Sequence, residues 1–309
     1  VGEITAAAVA VEQSRTRRLG PDPLPHIVDA RRLTTEHPGG GVPIALVDLP
    51  DQQRQQIRWW EPGVEGSLLI YGADGTGTSA VLASLAVGAA ERYPADDLHL
   101  YVIDAGALAP LVALPHTGAV VRHDDFERIA RLVDLVVSEI DIRNTAEGGR
   151  RRAVTTSRGS LLPHIVVMID DVGALRTHLD DPVRRDRSGD AWSGSDEVWA
   201  GISRIVHDGP AVGICTVATA KREHDVPAAF AAQIPARLVM RLADPAGYAS
   251  FGFRPVDIPR FVPGRALDPA DGAELQIVQP PASLAGAIAA LEAEPARARP
   301  PTSVEDRAT

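Results

Sequence analysis

Short apolar runs alternate along the chain with longer segments in which apolar residues recur every three or four positions. Nearly continuous runs of Val, Ile, Leu and Ala predict buried β-strands. They lie at residues 42–47, 67–71, 98–103, 165–169, 211–220, 236–241 and 274–278. Helical spacing predicts helices at residues 2–18, 78–92, 125–143, 198–207 and 283–294. Strands alternating with helices indicate an α/β fold, with a mostly parallel central sheet covered by helices on both faces.

Proline-rich and polar segments divide the 309 residues into three parts. Residues 1–35 combine the first helix with a proline-broken extended segment. Residues 36–294 form the predicted α/β domain, interrupted by two polar loops, and residues 295–309 are predicted to be disordered. The arginine triplet RRR of the first loop, residues 150–152, is interpreted as solvated, with a binding site as the alternative. A start at Val1 and a polar end suggest a piece excised from a longer protein.

Charge and cysteine content narrow the range of functions and compartments that fit this sequence. The net charge of −10 and the pI of about 5.4 argue against a broad nucleic-acid-binding face, although a ring can confine basic groups to a few pore loops. The single cysteine, Cys215, excludes an internal disulfide, favours a reducing compartment and is expected to be an inert core thiol. The sequence shows neither a signal-peptide pattern nor an apolar run long enough to span a bilayer.

The segment LLIYGADGTGTSA predicts a strand, a glycine-rich turn and a helix. The phosphate-loop pattern is Gly, four residues, then Gly-Lys-Ser/Thr, and Gly72, Gly77 and Ser79 match it. Thr78 replaces the lysine, and Asp74 adds a negative charge. The main-chain amides of such a loop can still surround phosphate, but the charge that supports phosphoryl transfer is missing. A tight strand-to-helix turn without a ligand is the alternative.

Two adjacent carboxylates follow the apolar run IVVMI. A buried strand that ends in two acids is the Walker-B arrangement of ATPases. Asp170 is then expected to hold magnesium through water, with the Ser79 hydroxyl as a further ligand, while Asp171 polarises the attacking water. Asp171 is one methylene shorter than the glutamate usual at this position, and an acidic helix cap is the alternative interpretation. Asp104 also ends a predicted strand, at the sheet edge where ligands of such folds bind.

Taken in order, these motifs resemble the FtsK/SpoIIIE class of P-loop ATPases, and within it the later ATPase modules of EccC-type proteins of type VII secretion. The resemblance covers about residues 19–280. It is carried by LGPDPLPHIVDARRL, PIALVDLPDQQRQ, LYVIDAGALAPLVALPHTGAVV, PHIVVMIDDV, GPAVGICTVATAKR, RLVMRLADPAGY and VPGRAL.

The resemblance implies a RecA/FtsK-like P-loop NTPase fold, with ATP and Mg²⁺ as cofactors. Ser79 and Asp170 are the implied metal ligands and Asp171 the implied catalytic acid. Lys221 and Arg222, at a strand's carboxyl end, are candidates for sensing phosphate. The implied nucleotide contacts are Gly72, Ala73, Asp74, Gly75, Thr76, Gly77, Thr78, Ser79, Ala80, Lys221 and Arg222.

Three functions follow, of which the first is favoured. The chain is a degenerate module that binds nucleotide weakly or not at all and serves secretion-substrate recognition or regulation of a neighbouring active ATPase. Alternatively, it is an active ATPase that takes its cation from Lys221 or Arg222; a DNA translocase is disfavoured by the acidic balance. The implied partners are neighbouring ATPase modules of the same chain and a WXG100-type secretion substrate, with a hexameric ring as the implied assembly. The implied location is the cytoplasmic face of the bacterial membrane, reached through the parent protein.

Three further features have two interpretations each. His116 is either a turn histidine or a residue of the nucleotide pocket. Arg265 is either a surface arginine or one that reaches a neighbouring subunit's phosphate. Trp59 and Trp60 are either partly exposed core aromatics or part of an interface with an adjoining module.

Overall fold

The computed structural model describes residues 22–30, 33, 41–147, 162–180 and 192–293. The predicted N-terminal helix at 2–18, the arginine triplet and the tail at 295–309 lie outside the described residues. The division at residues 35 and 294 therefore stays a prediction. Among the described helices, none combines the length and the apolar character needed to cross a bilayer.

The described residues form one ten-stranded sheet with helices packed against it. The strands are β1 (Val42–Leu49), β2 (Arg54–Trp60), β3 (Leu68–Tyr71), β4 (Leu98–Asp104), β5 (Thr117–Arg122), β6 (His164–Ile169), β7 (Ile214–Ala220), β8 (Ala236–Val239), β9 (Arg265–Leu267) and β10 (Glu274–Ile277). The helices are α1 (Thr78–Arg92), α2 (Phe126–Glu147), α3 (Val172–Leu179), α4 (Trp192–Asp208), α5 (Ala228–Ala232) and α6 (Leu284–Ala293).

The strand order is β2-β1-β10-β9-β8-β3-β7-β6-β4-β5. The six strands from β8 to β5 run parallel, and the four from β2 to β9 extend them as an antiparallel wing. The prediction of a mostly parallel sheet is therefore confirmed. β3 lies between β7 and β8, so that β7 separates the strand before the glycine loop from the strand before the acidic pair.

Alternate residues of β3 enter two hydrophobic cores, one on each face of the sheet. Leu69 and Tyr71 pack in the core that includes α2, α3 and α4, and Leu68 and Ile70 pack in the core that includes α1 and α6. This period-2 alternation with both sets buried explains why the strand is apolar throughout. Cys215 is buried in the second core, where loss of hydration raises the pKa of its thiol to about 12, as expected of an inert core thiol.

Several boundaries differ from the sequence predictions. α2 continues to Glu147 and α4 begins at Trp192, so both extend into the polar loops that the sequence predicts at residues 145–160 and 180–195. The predicted strand at 211–220 begins only at Ile214, because residues 209–212 form a 3₁₀ turn that ends at Gly213 with φ of 78°. Elements missing from the sequence predictions are β2, β5, β9, α3 and α5.

The extended segment before the domain packs on the antiparallel wing. Val28 forms a parallel bridge with Val278, and its carbonyl accepts a 2.7 Å hydrogen bond from the amide of Gln279. Arg265 contacts the same segment, because its guanidinium lies 3.3 Å from the carbonyl oxygen of Leu24. The proline-rich lead-in is thus tied to the last strands of the domain.

His164, the first residue of β6, gives the fold a pH dependence. Burial and the nearby guanidinium of Arg143 lower the pKa of His164, so folding favours the neutral form of this imidazole. The unfolded chain takes up the proton first as the pH falls through about 6.5, the ordinary histidine pKa. We therefore expect the free energy of unfolding to fall between pH 7.5 and 5.5, by at most about 1.4 kcal/mol per pH unit for this group.

Urea denaturation at the two pH values measures this loss, and His164→Gln, which cannot be protonated, should show a smaller one. His123, whose pKa is lowered by burial and by His178, contributes in the same direction and remains in both proteins. An unchanged pH dependence in His164→Gln would contradict the assignment.

Candidate functional site

Four parallel strands end side by side at the edge of the sheet where the predicted site residues meet. β3 leads into the glycine loop, β7 into Lys221, β6 into Asp170, and β4 ends at Asp104. Asp104 is buried, and one carboxylate oxygen accepts hydrogen bonds of 2.8–2.9 Å from the amides of residues 106, 107 and 108. Asp104 thus closes the turn after β4, next to the predicted metal ligands.

The glycine loop is anchored to both neighbours of β3. The Gly72 amide donates to the carbonyl of Ala220 at 3.0 Å, and the Ala73 amide donates to the carbonyl of Arg241 at 2.9 Å. A Cβ atom at Gly72 would lie 2.6 Å from the hydroxyl oxygen of Thr76, a distance too short for any side chain. The first glycine of the pattern is therefore required by close packing of the loop on itself.

The loop opens directly into the N-terminus of α1. Gly77 is the N-cap residue with φ of 98°, a conformation that favours glycine, and it offers no side chain to cap the helix. The first-turn amides of Thr78, Ser79 and Ala80 have no intrahelical acceptors, because the carbonyl groups four residues earlier in the chain lie before the helix. Such an end carries partial positive charge and suits an anion.

Ser79 at the start of α1, Asp170 directly after β6 and Thr219 on β7 form a hydrogen-bonded network. The Ser79 hydroxyl donates to the Asp170 carboxylate, with both oxygens at 2.9 Å. The Thr219 hydroxyl donates to Oδ1 of Asp170 at 2.9 Å and accepts the Asp171 amide at 2.8 Å. Burial raises the pKa of Asp170, and the two hydroxyl groups oppose that shift. Thr219 was missed from the sequence; its signal was a hydroxyl at the end of the strand ICTVATA.

Asp171 has the geometry that the helix-cap alternative expected. Its backbone lies in the left-handed region with φ of 60°, and its side chain caps α3 by accepting the Ala174 amide at 3.0 Å. The other carboxylate oxygen lies 3.2 Å from the ammonium nitrogen of Lys221. Both oxygens of Asp171 therefore have protein partners, and its predicted catalytic role remains a prediction.

Lys221 links the acidic pair to the glycine loop. Its ammonium nitrogen lies 2.9 Å from Asp74 as well as 3.2 Å from Asp171, and these two hydrogen bonds raise the pKa of Lys221. Arg222, the neighbouring candidate, has an exposed side chain, and its amide donates to the Asp225 carboxylate at 3.0 Å. Lys221 is thus the cation that the fold brings to the loop.

Other candidates lie in structural positions. His116 is buried, and its Nε2 lies 2.7 Å from the carbonyl oxygen of Tyr93, as expected of a turn histidine. Arg265 is 8% exposed and bonds to Glu274 and Gln276, so the expectation of a surface arginine is wrong, while its reach to a neighbouring subunit stays a prediction. Trp60 is 1% exposed and therefore belongs to the core.

The arrangement fits a magnesium ion better than it fits a complete nucleotide site. A serine hydroxyl beside a buried carboxylate supplies the oxygen ligands that Mg²⁺ prefers. The loop amides and the helix N-terminus suit phosphate, whereas Thr78 leaves the lysine position without charge. The site can therefore hold an anion and a hard cation, with reduced positive charge at the loop itself.

The sequence profile of the FtsK/SpoIIIE family matches residues 42–257, which is more than half of the chain. This chain therefore belongs to the FtsK/SpoIIIE family. It is 26% identical over 270 residues to the ESX secretion system protein EccC of Geobacillus thermodenitrificans, covering 85% of this chain and 17% of that protein. It is also 26% identical over 230 residues to the ESX secretion system protein YukB of Bacillus subtilis, covering 72% of this chain and 14% of YukB.

Solved structures show the same fold. ATPases 2 and 3 of EssC from Geobacillus thermodenitrificans superpose with a TM-score of 0.72 at 24% identity, over 88% of this chain and 52% of that one. ATPases 2 and 3 of Thermomonospora curvata EccC, in complex with a signal sequence peptide, superpose with a TM-score of 0.66 at 22% identity. The superposition covers 84% of this chain and 48% of that one. The chain spans less than a fifth of these curated relatives and about half of these solved chains.

Proposed function

We propose that this chain is a degenerate nucleotide-binding module of a type VII secretion motor, one that binds ATP with Mg²⁺ weakly and hydrolyses it slowly or not at all. The observation that carries the proposal is the Ser79–Asp170–Thr219 network beside a phosphate loop whose lysine position holds Thr78. Similarity to a small part of two ESX secretion system proteins supports the placing of this module within a larger chain.

Each residue of the site has a defined part in this proposal. Ser79 and Asp170 hold the magnesium ion, and Thr219 fixes the orientation of the Asp170 carboxylate by its 2.9 Å hydrogen bond. The amides of Thr78, Ser79 and Ala80 at the start of α1 orient the phosphates, together with Lys221 and Arg222 at the end of β7. Bound ATP supplies the phosphoanhydride bond and the binding energy that couples this site to the rest of the motor.

Two features limit hydrolysis. Thr78 supplies no positive charge where negative charge builds up on the transferred phosphoryl group. Asp171 uses its carboxylate to cap α3 and to pair with Lys221, so it would have to leave both partners to polarise water. A module with these features is suited to binding rather than turnover.

We further propose that the module recognises a secretion substrate or regulates a neighbouring active ATPase. The solved Thermomonospora curvata ATPases 2 and 3 carry a signal sequence peptide, and a WXG100-type substrate is the corresponding partner here. The other partners are adjoining ATPase modules of the parent chain, within a hexameric ring at the cytoplasmic face of the membrane. Recognition by this chain is testable by titration with such a substrate.

Lys221 favours a second candidate, a working ATPase that takes its cation from β7 instead of the loop. Its ammonium already lies 2.9 Å from a carboxylate of the loop. Phosphate release by the assembled oligomer, abolished in Asp170→Ala, would support this candidate. Release no faster than in Asp170→Ala would exclude it.

Calorimetric titration with ATP, with and without Mg²⁺, tests the main proposal. We expect weak binding that Mg²⁺ strengthens, and we expect Ser79→Ala to lose at least about tenfold in affinity with Mg²⁺ present. Binding without Mg²⁺ should remain, because the loop amides are unchanged. Ser203→Ala, on α4, is the control, because within the described part of the chain that hydroxyl bonds only to the carbonyl of Trp199 in its own helix.

Two results would contradict the proposal. If titration with ATP gives no heat of binding for the unaltered chain or for Thr78→Lys, the proposed nucleotide binding is wrong. Tight binding to duplex DNA at low salt, together with ATP binding, would instead favour the DNA translocase interpretation.

A further inference from the structure

Lys221 is the single lysine of the whole chain, and the other 30 of its 31 Lys and Arg residues are arginines. This one ammonium lies at the carboxyl end of β7, between Asp74 of the glycine loop and Asp171 of the acidic pair. An ammonium is a compact point charge, the form of cation that the phosphate-loop pattern itself uses. The chain therefore places its only such group beside the loop that has lost its own.

The two carboxylates hold Lys221 with different strength. The Asp171 side chain is 13% exposed and fixed by its cap on α3, whereas the Asp74 side chain is 82% exposed. Solvent screens the exposed pair, so the contact between Asp74 and Lys221 contributes little to stability and breaks easily. The contact of Lys221 with Asp171 is therefore the firm one, and its contact with Asp74 is weak.

Asp74 lies inside the turn that would receive the phosphates, between Gly72 and Gly77. A phosphate bound to the loop amides repels the Asp74 carboxylate and attracts the Lys221 ammonium. Both effects favour separation of the same ion pair. The phosphate and Asp74 therefore compete for one cation.

We propose that Asp74 is an internal competitor of the terminal phosphate of a nucleoside triphosphate: it occupies Lys221 in the nucleotide-free module and must release it when nucleotide binds. This inference rests on the proposed nucleotide-binding function and adds to it an autoinhibitory contact within the site. Weak nucleotide binding then has two causes: the loop lacks its lysine, and Lys221, which could replace that lysine, is paired with Asp74.

A double-mutant cycle tests the competition, with ATP affinity measured by calorimetry in Mg²⁺. The four proteins are the unaltered chain, Asp74→Asn, Lys221→Gln and the double variant. Asp74→Asn should tighten binding in the unaltered chain by removing repulsion and by freeing Lys221. In the Lys221→Gln background only the repulsion is removed, so the gain should be smaller by up to about fivefold, the range of an exposed ion pair.

Asp134→Asn is the matched control, because it removes the same charge from an exposed position on α2. It should leave the affinity unchanged. Equal gains from Asp74→Asn in both backgrounds would overturn the proposal, since Asp74 would then act through its own charge alone.

The single lysine permits a second readout that does not depend on turnover. Reductive methylation with ¹³C-formaldehyde keeps the positive charge and labels only Lys221 and the α-amino group. The Lys221 signal should differ between the nucleotide-free unaltered chain and Asp74→Asn, and saturating ATPγS with Mg²⁺ should move both towards one position.

The two experiments distinguish failure of the competition between Asp74 and phosphate from failure of nucleotide binding itself. A Lys221 signal that stays in place while calorimetry shows bound nucleotide would overturn the competition and leave nucleotide binding intact. Absence of binding in all four proteins and in Thr78→Lys would overturn both.

Discussion

Thr78→Lys should raise the affinity of this module for ATP at least about tenfold, because hydrogen bonds to charged groups contribute about 1.5–3 kcal/mol. The strand, the glycine turn and α1 already have the geometry of a phosphate loop, and Gly72 and Gly77 occupy the positions that this geometry requires. A lysine at position 78 would add the missing positive charge to a loop that already has the backbone geometry for binding phosphate. Calorimetric titration in Mg²⁺ measures the gain.

Thr78→Gln is the control for this prediction, since it lengthens the side chain without adding charge and should leave the affinity low. Hydrolysis should rise less than affinity in Thr78→Lys, because Asp171 still caps α3 and pairs with Lys221. Unchanged affinity in Thr78→Lys would show that the cradle is distorted as well as uncharged, and would count against the proposed nucleotide site.

The parallel core of the sheet could be predicted from sequence because its strands are buried on both faces. Such strands read as continuous apolar runs, as in LLIY of β3 and HIVVMI of β6. β2 has the sequence RQQIRWW and forms an edge of the sheet, with partly exposed residues along most of its length. An edge strand of this composition has no periodic signal that separates it from a loop.

The site could be predicted as two motifs but not as a network. The glycine loop and the acidic pair have fixed local patterns, and each is visible in a short window of sequence. Thr219 and Lys221 reach them only because β7 lies between β3 and β6. Strand order is set by long-range packing, so no local pattern shows that these residues meet Asp170 and Asp74.

Arg265 shows the limit of predicting burial from residue type. Arginines are mostly exposed, and a position after glycine and before a short strand suggests a surface loop. In the fold its guanidinium is enclosed by the side chains of Glu274 and Gln276 and by the carbonyl groups of the lead-in segment. Burial follows from the antiparallel wing and from the lead-in that crosses it, both of which are distant in sequence.

Arg265→Ala should lower the free energy of unfolding by about 3 kcal/mol, the lower end of the range for removing one partner of a buried ion pair, because the Glu274 carboxylate is only partly buried. Arg265 is 8% exposed, and its loss leaves the Glu274 carboxylate, the Gln276 amide oxygen and the Leu24 carbonyl without this donor. Urea denaturation measures the change. Arg254→Ala is the control: the Arg254 guanidinium makes two hydrogen bonds to the Asp257 carboxylate in solvent, and its loss should leave the free energy of unfolding unchanged within error.

Arg265→Ala should also loosen the lead-in segment, since Arg265 donates to the carbonyl groups of Leu24 and Pro25 at 3.3 and 3.5 Å. The reporter is the amide of Gln279, which donates to Val28 within that segment at 2.7 Å. Hydrogen exchange at Gln279 should accelerate in Arg265→Ala under native conditions and stay unchanged in Arg254→Ala. Arg265→Lys should recover only part of the protection, because a single ammonium cannot reproduce a planar fork that contacts Glu274, Gln276 and the lead-in together. A loss of stability without faster exchange at Gln279 would show that Arg265 stabilises the wing alone, and that the lead-in is held by its bridge to Val278.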